Sequence, residues 1–170
     1  FWFKPHVLKE LSAIKTVIDG YATNKKVHDL LMMAFLRIIV PVSNQESETR
    51  YKAIEKNIPI GATLRLYLKV LDNYIQVLKN SPVPSCDIRI SVIEGDSREE
   101  LKQLGKGVFD FAATSPPYIN SYDYYLYHKH RIYWLNKDPT IIRKLEMGNH
   151  HRVDRQTYDD AITEYHNSML

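Results

Sequence analysis

The sequence predicts an α/β protein in which a helical first half precedes part of a parallel sheet. Three observations lead to this prediction. Up to about residue 80, apolar residues recur every three or four positions, as they do on one face of a helix. A serine- and proline-rich run from 81 to 85 then interrupts the chain. Beyond it, apolar and polar residues alternate, which is typical of strands.

Three helices are predicted in the first half. The first begins near Pro5, ends before Gly20 and has an apolar face formed by Val7, Leu11, Ile14 and Ile18. The second covers Lys26 to Ile39 and is ended by Pro41. The polar stretch from Ser43 to Arg50 is predicted to be a loop. The third helix runs to about Lys79, with helical spacing at Leu64, Leu68, Leu71, Ile75 and Leu78.

A strand, a short helix and a second strand are predicted between residues 88 and 113. Ile88, Ile90 and Val92 alternate with polar residues, and Val108 to Ala113 is apolar except for Asp110. Between them, Ser97 and Glu100 have the spacing of a capping box. Two strands joined in this way are parallel, and the crossover is right-handed. Helices are then expected to cover the sheet.

Three regions are therefore expected. Residues 1–80 form a helical segment, and 81–135 form the strand–helix–strand core with the helix that follows it. Residues 136–170 are a basic, polar segment in which a helical face starts at Tyr158, Ile162, Tyr165 and Met169. Because that pattern stops midway and the chain lacks an initiator methionine, we expect an internal fragment of a longer protein.

Composition narrows the class of protein. The chain has 170 residues, of which 44% are hydrophobic and 25% charged, as in globular domains. Its net charge of +3 is compatible with a polyanionic partner but does not require one. A single cysteine, Cys86, excludes a disulfide framework and a multi-cysteine zinc site, and the histidines lack metal-binding spacing. No metal and no membrane segment are expected, and the expected compartment is the cytoplasm.

The run Thr114-Ser115-Pro116-Pro117-Tyr118 directly follows the second predicted strand, at the edge where α/β sheets bind ligands. The two prolines fix the backbone and remove two N–H donors. Carbonyl acceptors remain, beside a serine hydroxyl and an aromatic ring. This arrangement suits a planar group that carries an amino donor. Acceptors that bind the amino hydrogens help to localise the nitrogen lone pair and stabilise positive charge during methylation.

At these residues the sequence resembles the DNA amino-methyltransferases, whose signature is Asp, Asn or Ser followed by Pro-Pro and an aromatic residue. The segments Ile93–Ser97 and Ile119–Tyr124 extend the resemblance. It implies a Rossmann-like methyltransferase sheet, S-adenosylmethionine as cofactor, and DNA as the partner, in a restriction-modification setting. The implied reaction methylates the exocyclic amine of a base flipped out of the duplex, with cytosine N4 favoured over adenine N6.

The resemblance also implies roles for individual residues. The target base would be held by Ser115, Pro116, Pro117 and Tyr118. The adenine end of S-adenosylmethionine would be bound by Asp96 and Ser97. The tyrosines and basic residues beyond the motif are open to two interpretations: packing residues of an amphipathic helix, or a nucleic-acid contact. If this region contacts nucleic acid, the residues that we expect to make the contacts are Asn120, Tyr122, Lys129 and Arg131.

One departure from the family pattern concerns the cofactor. The family binds the methionine end with a glycine-rich loop after a strand, whereas Gly105 and Gly107 follow a predicted helix. The loop is expected before Phe1 and the last strands after Leu170, so this chain alone is expected to be inactive and to self-associate through exposed sheet edges. Two alternatives stay open: a non-catalytic remnant or interaction module of the same fold, and an RNA amino-methyltransferase.

Overall fold

Residues 1–82, 88–115 and 123–146 are described by the structure, a computed structural model. Two compact units divide the chain. Unit 1 contains Phe1–Val83 and Tyr127–Lys137, and unit 2 contains Pro84–Leu126 and Asp138–Leu170. The two units are considered separately below.

Helices α1 (Pro5–Asp19) and α2 (Lys25–Ile38) confirm the first two predicted helices. The predicted face of α1 is buried throughout: Val7, Leu11, Ile14 and Ile18 all belong to the core of unit 1. Pro5 occupies the first turn of α1, and Gly20 caps its carboxyl end. The side chain of Asn24 accepts a hydrogen bond from the Val27 N–H and so caps the start of α2.

The loop predicted from Ser43 to Arg50 is wrong, because this region enters a β-hairpin. Strands β1 (Gln45–Ser47) and β2 (Arg50–Ala53) pair antiparallel, with Gln45 opposite Ala53 and Ser47 opposite Arg50. Gln45 is buried, and its amide donates to the carbonyls of Ser47 and Tyr127. This polar sequence forms strands here because its backbone groups pair across the hairpin and the N–H groups of the Gln45 amide find carbonyl acceptors inside unit 1.

Helix α3 (Ala62–Asn80) confirms the third predicted helix, but the predicted face is not the one that it buries. Its buried residues are Thr63 and Tyr67. Further side chains of α3 that pack on the core are Leu66, Val70, Leu71 and Tyr74. Of the predicted stripe, Leu64, Leu68 and Leu78 remain exposed. Helical spacing identified the helix, whereas contact with α1 and α2 decided which side is covered.

The remaining helices are short. They are α4 (Ser97–Gln103), α5 (Tyr124–Tyr127), α6 (Lys129–Trp134) and α7 (Pro139–Leu145). In unit 1, Trp134 of α6 packs edge-on against the buried ring of Phe35, with ring centroids 5.3 Å apart. The helical face predicted at Tyr158 lies outside the described residues. None of the helices that the structure describes combines the length and the hydropathy that crossing a bilayer requires.

The predicted Rossmann-like α/β fold is contradicted. The structure is 53% helix and 5% strand, and β1–β2 is the whole of the sheet within the described residues. The two predicted parallel strands, at 88–92 and 108–113, have no regular secondary structure. Their apolar side chains are exposed, with Val92 at 89% and Phe111 at 84%. A strand requires a hydrogen-bonded neighbour, which alternation alone does not supply. The predicted sheet edges are accordingly not present in these segments.

Candidate functional site

Ser115 is the part of the Pro-Pro motif that the structure describes. It belongs to a stretch after α4, residues 104–115, that contains no helix or strand, and both Thr114 and Ser115 are exposed. The rest of the predicted base site, Pro116, Pro117 and Tyr118, lies outside the described residues. An exposed serine at the entrance of the motif is accessible to a large substrate.

Asp96 and Ser97, the predicted cofactor residues, lie at the start of α4 in unit 2. The backbone carbonyl of Asp96 accepts hydrogen bonds from the N–H groups of Glu99 and Glu100, both at 2.9 Å. Asp96 is therefore the amino-terminal cap residue of α4, half-buried, and Ser97 is exposed in the first turn. The predicted cap was Ser97, so the helix begins one residue earlier than the capping-box spacing suggested.

Of the four residues predicted to contact nucleic acid, two lie outside the described residues and two lie in unit 1. Asn120 and Tyr122 lie outside the described residues. Lys129 and Arg131 belong to α6 in unit 1, whereas Asp96, Ser97 and Ser115 belong to unit 2. The first residue of α6, Lys129, has a half-buried side chain.

Arg131 is committed to contacts within unit 1. Its side chain is 14% exposed, and its guanidinium donates to Glu48 Oε1 at 2.6 Å and to the Leu36 carbonyl at 2.8 Å. It also donates to His128 Nδ1 at 3.1 Å. These contacts join α6 to the hairpin turn and to α2. They give Arg131 a structural role, and its contact with DNA stays a prediction.

The charge on Arg131 alters the acidity of its neighbours. Burial raises the pKa of Glu48, but the hydrogen bond and charge of Arg131 outweigh burial and bring that pKa below its ordinary value. Burial, together with the charge of Arg131, lowers the pKa of His128. Near neutral pH the cluster therefore contains a carboxylate, a guanidinium and an uncharged imidazole.

His130 lies in an aromatic cluster formed with Trp2, Phe3 and Tyr51. Trp2 stacks on Tyr51 at 4.6 Å between ring centroids, and its centroid is 4.9 Å from that of His130. His130 is 6% exposed, and its Nε2 atom is buried without a hydrogen-bond partner among the described residues. Burial, and secondarily the charge of Lys129, lowers the pKa of His130 to about 4. The imidazole is thus an uncharged packing residue.

The tyrosines beyond the motif divide between the two interpretations left open by the sequence. Tyr125 is buried and Tyr127 half-buried, whereas Tyr124 and Tyr133 are exposed. In unit 2, Glu146 accepts from the N–H groups of Tyr124 and Tyr125, and so caps α5. Tyr125 and Tyr127 therefore fit the interpretation as packing residues. For the exposed Tyr124 and Tyr133, a contact with nucleic acid stays a prediction.

Sequence reasoning missed Glu48 and the rings around His130. Glu48 meets Arg131 across 83 positions, and Trp2 meets His130 across more than 120. No local spacing connects residues so far apart. In the part of the chain that the structure describes, no group of three or more histidine, cysteine, aspartate or glutamate side chains is arranged to hold a metal ion.

Comparison with family models, with curated proteins and with solved structures finds no match to this chain. The chemistry of the chain's own residues therefore carries the functional interpretation.

Proposed function

We propose that this chain carries the target-base site of an S-adenosylmethionine-dependent amino-methyltransferase that acts on DNA, with cytosine N4 favoured over adenine N6. The observation that carries the proposal is the sequence Ser115-Pro116-Pro117-Tyr118. The exposure of Thr114 and Ser115 supports it, because a nucleic acid must reach these residues from solvent.

The proposed chemistry follows from the groups that the motif offers. The hydroxyl and carbonyl oxygens at Ser115 and Pro116 accept the amino hydrogens of the base. Their negative partial charge localises the nitrogen lone pair and stabilises the positive charge that develops on the amine. The ring of Tyr118 stacks on the face of the base. Because the amine of a stacked base is out of reach, the base must leave the duplex.

The residues present fit only one end of the cofactor. S-adenosylmethionine supplies the methyl group, on a sulfonium. Asp96 accepts from the adenine amino group, and the exposed Ser97 adds a hydroxyl beside it. At the other end, Gly105 and Gly107 lie beyond the carboxyl end of α4, with Gly107 in the left-handed region at φ 68°. That end of a helix presents carbonyl oxygens, which repel the methionine carboxylate.

The position of Gly105 and Gly107 beyond the carboxyl end of α4 favours a second candidate function. In this alternative the chain is a non-catalytic module that binds nucleic acid through the same motif. Binding of a base needs the acceptors and the ring, whereas methyl transfer also needs the cofactor held in line with the amine. Both candidates share the base site, so one experiment on that site tests what they have in common.

The experiment measures binding of the 170-residue chain to three labelled nucleic acids by fluorescence anisotropy. They are a paired duplex, the same duplex with one mispaired cytosine, and an RNA hairpin. We expect tightest binding to the mispaired duplex, because a mispaired base leaves the stack at lower cost. Tyr118→Ala should weaken that binding by about 5- to 150-fold, as expected for the loss of one base–aromatic stack, and Tyr118→Phe should retain it.

The matched control is Tyr21→Ala, which removes an exposed tyrosine between α1 and α2 and should leave binding unchanged. Equal binding of Tyr118→Ala and the unchanged chain to the mispaired duplex would show that the motif is not a base site. Preference for the hairpin over both duplexes would assign the site to RNA.

A further inference from the structure

Helix α3 has a second apolar face beside the one that it buries. This face, the outer stripe, consists of Leu64, Leu68, Leu71, Ile75 and Leu78. Leu68 is 53% exposed and Leu78 is 59% exposed, Leu64 is also exposed, and the other two are half-buried. The core side of the same helix is centred on Thr63 and Tyr67, and Leu71 lies between the two sides because it also packs on the core. An exposed stripe of this kind on a folded helix is characteristic of an interaction surface.

The spacing within the outer stripe identifies the shape of its partner. Successive members are separated by four, three, four and three residues, which is a heptad repeat. A repeat of 3.5 residues keeps its contacts aligned only against another helix with the same repeat. The occupant that fits is therefore a helix with its own heptad stripe, and α3 of a second copy has one.

The charges beside the outer stripe favour that second copy in one orientation. Arg65 and Asp72 directly follow Leu64 and Leu71, so both border the same edge of the stripe, and both are exposed. When two α3 helices run antiparallel with Leu64 beside the partner's Ile75, Leu68 lies beside the partner's Leu71. This register sets Arg65 opposite the partner's Asp72, and two-fold symmetry repeats the pair.

The neighbouring register is disfavoured by the same charges. A shift of one heptad places Asp72 opposite the partner's Asp72 and brings Arg65 towards the partner's Lys79. Like charges at the border of a helix pair are destabilising, and such residues set partner choice and orientation. The charge pattern is therefore complementary to itself in one antiparallel alignment.

We propose that α3 is a self-association surface through which two copies of this chain form an antiparallel, two-fold symmetric helix pair. The pair is centred on Leu68 and Leu71 and bordered by two Arg65–Asp72 ion pairs. This surface belongs to unit 1, and the proposal does not depend on the proposed methyltransferase function. The pair spans about two heptads, so dimerisation should be weak and concentration-dependent.

The test exchanges the two charges. Arg65→Asp and Asp72→Arg each replace both ion pairs with like-charge contacts, so each variant alone should dimerise about tenfold more weakly in sedimentation equilibrium. In an equimolar mixture of the two variants, every border contact joins opposite charges, and a heterodimer should form with the original strength. The double variant Arg65→Asp/Asp72→Arg should also recover dimerisation.

A control on the stripe itself is Leu68→Glu, which should abolish the dimer while circular dichroism shows unchanged helix content. Dimerisation of both single-charge variants at the original strength would overturn the proposal and assign the stripe to another occupant. Failure of the mixture to form the heterodimer would overturn the antiparallel register. Association through the exposed apolar side chains of 88–93 and 108–111 would be insensitive to all these charge changes, and finding it alone would also refute the proposal.

Discussion

At the scale of single residues, His130 is defined by the rings around it. Contacts with Trp2, Phe3 and Tyr51 place its imidazole where a positive charge is poorly solvated. Because its pKa in the folded state is about 4, the unfolded chain binds a proton at higher pH than the folded chain does. Its neutral form therefore favours folding above about pH 6.5, and that contribution is lost as the pH falls towards 4.

We expect the free energy of unfolding to fall by on the order of 3 kcal/mol between pH 7 and pH 4 through His130 alone. Urea unfolding at a series of pH values measures this pH dependence of the free energy of unfolding. The variant His130→Phe keeps an aromatic ring and should lose this part of the pH dependence. Parallel pH profiles for the variant and the unchanged chain would show that folding does not change the pKa of His130.

Arg131 supports a second prediction at this scale. Glu48→Gln leaves a largely buried guanidinium without its carboxylate, 2.6 Å away in the structure. Loss of the charged hydrogen bond should reduce the free energy of unfolding by about 1–3 kcal/mol. Asp29→Asn, which removes the exposed ion pair with Lys25, should cost much less, because solvent screens both charges. Equal costs in urea unfolding would contradict a structural role for the Arg131 contacts.

At the scale of elements, helix α3 is capped by a residue from another helix. The Glu10 carboxylate of α1 accepts from the N–H groups of Gly61, Thr63 and Leu64, at 2.6, 3.1 and 3.4 Å. These donors have no partner inside the helix. Burial raises the pKa of Glu10, but the hydrogen bonds from Gly61, Thr63 and Leu64 together lower it by more, so the net shift of this pKa is downward.

Glu10→Ala should therefore reduce the free energy of unfolding by about 1–2 kcal/mol, as the loss of a helix cap does. The loss should be measurable in chemical denaturation at pH 7 and should diminish as the pH falls below the ordinary range for glutamate, where Glu10 becomes protonated. Glu55→Ala, at an exposed position, serves as the control. A destabilisation that is independent of pH would show that Glu10 acts through packing rather than charge.

At the scale of the whole molecule, we expect that this chain by itself does not turn over S-adenosylmethionine. Misplacement of the methyl group by ~1 Å can cost ~100-fold in rate. In the proposed function, Asp96 and Ser97 contact only the adenine end of the cofactor, and the glycines of the sequence offer no matching loop for the methionine end. Incubation with duplex DNA and labelled cofactor should give no incorporation, and calorimetry should show weak cofactor binding. Turnover, or tight stoichiometric binding, would contradict this expectation.

The helices of unit 1 could be predicted because their determinants are local. The spacing of Val7, Leu11, Ile14 and Ile18 and the positions of Pro5 and Gly20 specify α1 within twenty residues. The candidate base site stays a prediction from five consecutive residues, because Pro116, Pro117 and Tyr118 lie outside the described residues. Contacts within unit 1 such as Arg131–Glu48 could not be predicted, because they join distant positions of the chain.

The sequence by itself determined where helices form and which chemical groups the motif contains, because periodicity and side-chain chemistry act over a few residues. Only the tertiary structure decided whether extended segments pair and which apolar face is covered, since both depend on partners distant in the chain. Gln45 and Arg50 thus lie in strands despite a polar sequence. The apolar segments at 88–92 and 108–113 lie unpaired despite strand-like patterns, because no described segment hydrogen-bonds beside them as a strand.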